Sequence, residues 1–144
     1  MTLSSLPFGS SRVHLFVYGT LVDPLKLDEI IGHCHQGERL RARLLGYRRV
    51  VSDQYPYPYL MPSSAEAVEG ILVMDLTAAD LRALDVYEEV AQGTYARSGV
   101  EVDVWGCGPR SARLPAQVYV SGEGLKNLTG RWSALAQPTP STTR

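Results

Sequence analysis

The chain has 144 residues, which suits one domain and leaves little room for two. Its 44% hydrophobic and 20% charged content is ordinary for a soluble globular protein, and a net charge of −1 provides no global field favouring nucleic acid or an anionic membrane. No apolar run reaches the roughly 18 residues that cross a bilayer, and the start, "MTLSSLPFGSS", lacks the basic and apolar regions of a signal peptide.

A cytoplasmic protein with free thiols is therefore expected, since Cys34 and Cys107 stand far apart and form no CxxC pair. Residues 1–11 and the Pro/Thr-rich 136–144 read as flexible ends around a single domain over 12–135.

"RVHLFVYGTL" comes first. Val13, Leu15 and Val17 alternate with His14, Phe16 and Tyr18, so both faces are mostly apolar and the spacing predicts a central strand broken at Gly19. "DPLKLDEIIG" predicts a helix with Asp23 as cap, Pro24 at its first position and Gly32 as its stop. "HCH" at 33–35 has no second ligand pair at metal spacing, so no metal site is expected.

Arg39, Arg41 and Arg43 alternate with Leu40, Ala42 and Leu44 in a strand with one wet face. "YPYPYLMPSS" is read as irregular, because Pro56, Pro58 and Pro62 oppose regular structure. It is either a stiff surface loop or the wall of a pocket.

"EAVEGILVMDL" predicts a strand in which Gly70 permits a bulge or close backbone approach. "LTAADLRALDVYEEV" follows as a helix, with Thr77 and Asp80 forming a capping-box-like start near Ala78. Two further strands, "TYARSGVEVDVW" and "ARLPAQVYVSG", flank a turn at "GCGP". The order β-α-β-β-α-β-β predicts an α+β fold: a small, mixed, barrel-like sheet with two main helices.

The second helix carries an anomaly. At about 100° per residue, with Leu81 at zero, Leu84 falls near ~300° and Glu88 near ~340°, while Asp85 sits near ~40° and Glu89 near ~80°. Glu88 therefore points at the core. A carboxylate there is costly unless paired, bonded or neutral. Three readings stand: a structural pair with Arg97 or backbone amides, a helix that ends before Glu88, or a carboxyl of raised pKa poised for proton transfer. The strand end at Tyr18, Gly19, Thr20 and Leu21 exposes successive N–H groups that can hold a carboxylate or an oxyanion. Together they favour proton shuffling on a small anionic substrate.

"VYGTL", "VEGILVMDL", "LDVYEEV", "YARSGVEV" and "AQVYV", in order from Leu15 to Val120, resemble the gamma-glutamylcyclotransferase-like superfamily, especially its gamma-glutamylamine cyclotransferase branch. The resemblance implies a small mixed barrel with a cavity at one end, and a substrate loop at Tyr18, Gly19, Thr20 and Leu21. It implies Glu88, closing "LDVYE", as the catalytic acid/base, with Tyr95 lining the cavity and Arg97 in a pairing role. The implied reaction is cofactor-independent: the α-amine of a γ-glutamyl amine or peptide attacks its own γ-amide, giving 5-oxoproline and a free amine. The expected partner is that small molecule, with no nucleic acid and no membrane. The alternative is a binding module of the same fold that holds a carboxylate metabolite without turning it over. The chain departs from the family in one respect: members often have Gly after the catalytic Glu, where this chain has Glu89.

Overall fold

Five strands close into a barrel in the computed structural model, which describes residues 12–52, 55–105 and 112–122. In chain order the elements are β1 (Val13–Val17), a 3-10 turn (Thr20–Val22), α1 (Pro24–Ile31), β2 (Arg39–Ser52), β3 (Tyr55–Leu76), α2 (Ala78–Tyr87), β4 (Tyr95–Val104) and β5 (Ala112–Ser121). Around the barrel the order is β1-β3-β2-β4-β5. All neighbours are antiparallel except β1 and β5, which close the ring in parallel through Leu15↔Gln117 and Phe16↔Val118. The expected α+β barrel with two helices is what forms. Among the described residues no helix is long and apolar enough to cross a membrane.

The helices start and stop where local chemistry directs. Asp23 accepts from the Leu25 amide, Pro24 occupies the first turn, and Gly32 ends α1 in the left-handed region at φ 87°. Thr77 and Asp80 form a reciprocal capping box at the head of α2. His33 adds a 2.7 Å bond from its Nε2 to the buried Asp80, and the Nε2 of His35 lies 2.7 Å from the Met74 carbonyl. The imidazoles of "HCH" thus pin the end of α1 to the start of α2 and the end of β3. Cys34 between them is an exposed free thiol, and Cys107 lies outside the described residues, as do both chain ends and the "GCGP" turn.

Alternation along β1 sorts two cores. Leu15 and Val17 pack with Leu27, Leu81 and Leu84 of the helices, while Phe16 joins Ala42, Leu44, Leu72, Val102, Val104 and Val118 in the second cluster, inside the barrel. Gly70 is required where β1 and β3 meet. A Cβ there would lie 2.2 Å from the Val17 carbonyl oxygen and 2.9 Å from Cζ of Phe16.

The reading of "YPYPYLMPSS" as irregular is overturned, because β3 runs straight through it and pairs with β2 at Val50↔Tyr59, Arg49↔Leu60, Arg48↔Met61 and Tyr47↔Pro62. Two features allow it. Pro56 and Pro58 fall where the β2–β3 register shifts, between Val50↔Tyr59 and Ser52↔Tyr55, the kind of irregularity that admits proline in a strand. β3 also pairs with β1 only from Ile71 to Leu76, so the β1 ladder does not extend to the proline-bearing half. Between the prolines, Tyr59, Leu60 and Met61 are buried.

Candidate active site

A cavity of about 260 Å³ opens at the end of the barrel where β1 stops, α2 ends and β4 begins. Its size suits a small metabolite, lying below the ~300–1,000 Å³ of drug-sized sites. Its wall contains Tyr18, Gly19, Thr20, Leu21, Glu88 and Tyr95, so all six residues singled out from the sequence border one space. Tyr57, Pro58, Tyr87, Glu89 and Tyr119 are also in the wall. The aromatic stretch at Tyr57 is therefore pocket wall, although it is strand rather than loop.

The chain leaves β1 at Tyr18 and tightens into the 3-10 turn, closed by the Val22 amide on the Gly19 carbonyl at 3.0 Å and the Asp23 amide on Thr20 at 3.2 Å. The amides of Thr20 and Leu21, at the head of this turn, have no acceptor within it. Oγ1 of Thr20 lies 3.4 Å from the Tyr87 hydroxyl, linking the loop to the last residue of α2. Tyr95 enters from β4 and donates its hydroxyl to the Pro58 carbonyl at 2.8 Å.

Glu88 is the first residue beyond α2. The helix ends at Tyr87, and Glu88 caps it with its amide on the Leu84 carbonyl at 2.8 Å. One expected possibility, that the helix stops short of Glu88, is thus realised, yet the side chain still borders the cavity. Its near-helical φ of −86° and ψ of 3° carry the projected direction one residue further. No hydrogen bond or ion pair reaches its carboxyl among the described residues. Its pKa is pushed up to about 7, first by burial and second by the charge of Glu89.

Arg97, considered as a partner for Glu88, is committed elsewhere. Its Nε and Nη2 donate to the two carboxyl oxygens of Asp85, each at 3.0 Å. The Tyr119 hydroxyl donates to the same Asp85 at 2.7 Å, and the Tyr18 hydroxyl donates to the Tyr119 carbonyl at 2.6 Å. Burial and the bond to Asp85 drive the Tyr119 pKa upward, so it stays a phenol donor. This network braces α2 against β4 and β5 and positions the cavity wall. Sequence reasoning missed Asp85 and Tyr119 as its centre. The available signal was Asp85 at the border of the buried stripe, one turn before Glu88.

Glu89, expected to face outward, borders the cavity mouth. It sits in the left-handed region at φ 56°, which turns its side chain back, and its Oε1 accepts from the Thr94 hydroxyl at 2.9 Å.

Comparison with known proteins places this geometry among relatives. Residues 15–134 match the family described as "Gamma-glutamyl cyclotransferase, AIG2-like". The AIG2-like protein C of Arabidopsis thaliana is 28% identical over 125 residues, covering 86% of this chain and 68% of that one. A mouse AIG2-like protein of known crystal structure is 27% identical, covers 76% of this chain and 77% of its own, and superposes with a TM-score of 0.55. An Arabidopsis thaliana protein solved in solution shares the fold at a TM-score of 0.66 and 23% identity, over 88% of this chain and 84% of its own.

Proposed function

The chain belongs to the gamma-glutamyl cyclotransferase, AIG2-like family, and from that premise we propose that it converts γ-glutamyl amines to 5-oxoproline and a free amine, with Glu88 as the proton carrier. One observation carries this reading: a carboxyl with no hydrogen-bond or ion-pair partner among the described residues, with a pKa near 7, shares a small cavity with the strand-end turn at 18–21.

The chemistry follows from these groups. The substrate's α-amine is an ammonium at neutral pH and cannot attack until it loses a proton. Glu88, about half ionised there, takes it. The freed nitrogen attacks the γ-carbonyl carbon, and the C–N bond to the leaving amine then breaks. In net, two protons pass from the attacking nitrogen to the departing one, and Glu88 carries them in turn. The amides of Thr20 and Leu21 hold the substrate carboxylate or the developing oxyanion. Because nucleophile and carbonyl belong to one molecule, holding the folded rotamer in a tight space supplies much of the acceleration.

The test is 5-oxoproline release from a panel of γ-glutamyl amides and γ-glutamyl dipeptides. Glu88→Gln should stay folded and lose kcat by about two to four orders of magnitude, the usual weight of a general acid/base. Wild-type-like turnover in that variant, or thermal stabilisation by ligands without any product, would overturn the reading in favour of a binding module.

A further inference from the structure

Among the described residues, every charged side chain in the cavity wall is an acid: the wall holds Glu88 and Glu89 and no Lys, Arg or His. Arg97 behind it is engaged by Asp85. Lys26, near the rim, pairs with Glu29 at 3.7 Å and lies over the Tyr87 ring at 5.7 Å, outside the wall. A γ-glutamyl substrate brings its own carboxylate and ammonium, which the turn and Glu88 accommodate. What remains is the charge of the leaving group, which must pass the mouth.

The mouth has its own chemistry. Glu89 is exposed, with its Oε1 fixed by Thr94, and the exposed rings of Tyr57 and Tyr87 stand in the same wall. A carboxylate among aromatic faces attracts ammonium groups and repels carboxylates. The position is a demanding one for this side chain, since left-handed backbone at φ 56° favours glycine. The backbone thus holds an acid at the mouth where the local conformation alone would select against it.

Building on the cyclotransferase reading, we propose that Glu89 is a specificity residue. It selects γ-glutamyl amides whose leaving amine carries a second, distal ammonium and no carboxylate, which describes mono-γ-glutamyl diamines and polyamines. Glu89 acts on the part of the substrate that departs, whereas Glu88 acts on the reacting nitrogens.

The experiment compares three γ-glutamyl amides of matched length: a diamine with a free distal ammonium, an uncharged alkylamine, and an amino acid ending in a carboxylate. With the wild-type protein the diamine should exceed the alkyl compound in kcat/KM by about fivefold, and the dipeptide should trail it by a similar factor. That is the scale of a charge pair touched by solvent. The differences should lie in KM. Glu89→Gln should shrink both gaps below about twofold; because it also withdraws charge from beside Glu88, the readout is the ratio among the three compounds within each variant and not absolute turnover. Glu89→Gly should abolish the discrimination and raise Tm, separating charge from backbone strain.

Calorimetric binding of the same compounds to Glu88→Gln, with and without Glu89→Gln, decides the charge preference without turnover. If the wild-type protein releases no 5-oxoproline from any compound, the cyclotransferase reading fails. A diamine preference in binding that needs Glu89 would still uphold the charge selection. A ranking that Glu89→Gln leaves unchanged, or a dipeptide handled as well as the diamine, overturns it.

Discussion

Replacing Glu88 by Gln should remove a loss of stability that the wild type suffers as pH rises. Folding moves this carboxyl from 4.5 to about 7. At 1.36 kcal/mol per pH unit this corresponds to roughly 3 kcal/mol. The sign follows from proton counting: between these values the folded protein binds the proton and the unfolded chain does not. The contribution is therefore complete below about pH 4.5, declines as pH rises, and is gone above about pH 7. Gln is neutral throughout and lacks this slope. Its own buried amide adds an offset that does not vary with pH. Urea denaturation of both proteins from pH 4.5 to 8, with linear extrapolation, gives the difference directly, and the remaining titrating groups cancel in it. The variant should gain about 2.5 kcal/mol on the wild type between pH 5 and pH 8. A difference that stays flat across this range would refute the assignment of Glu88 as a half-buried carboxyl with no partner among the described residues.

Four other substitutions probe the scaffold of the site. Gly70→Ala forces a methyl against the Val17 carbonyl, so it should cost about 3 kcal/mol in chemical denaturation and disturb the amide resonances of the adjoining 18–21 turn. Thr77→Ala removes one half of the α2 capping box and should lower stability by about 1 kcal/mol in the same assay. Tyr119→Phe deletes the 2.7 Å bond to Asp85 and should cost about 1–3 kcal/mol, since the acceptor is charged and part-buried. Asp85→Asn weakens the hold on Arg97 and offers Glu88 a nearby cation, so the apparent pKa on the acid side of the pH–rate profile should fall.

Much of this site was legible because local chemistry and periodicity agree there. The Asp23, Pro24 and Gly32 boundaries and the Thr77–Asp80 box are short-range signals that tertiary packing had no reason to override. The direction of Glu88 came from the Leu81 and Leu84 stripe, whose geometry persists one residue beyond the hydrogen-bonded helix. The proline run misled for the opposite reason. A proline cannot donate, but whether a donor is needed depends on which strand lies alongside, and that is a property of the closed barrel. The partner of Arg97 was hidden likewise. Asp85 on α2 and Glu88 just beyond its end lie three residues apart, and only the placement of β4 and β5 decides which one meets the guanidinium.

That choice of partner is what makes Glu88 chemically special. Burial, the neighbouring Glu89 charge and the negative end of the α2 dipole all disfavour its ionised form. A single cation beside it would cancel much of this effect. Two basic residues of the same region have other contacts: Arg97 is bound bidentately to Asp85, and Lys26 pairs with Glu29 and lies over the Tyr87 ring. Asp85 is in turn satisfied twice, by Arg97 and by Tyr119, so it has little tendency to release its partner. The fold thus uses one acid on α2 to hold the Arg97 guanidinium, while the next acid, three residues on, has no cation partner among the described residues. The proton carriage proposed for Glu88 requires a group that is partly ionised at neutral pH, and the division between Asp85 and Glu88 is what would supply one.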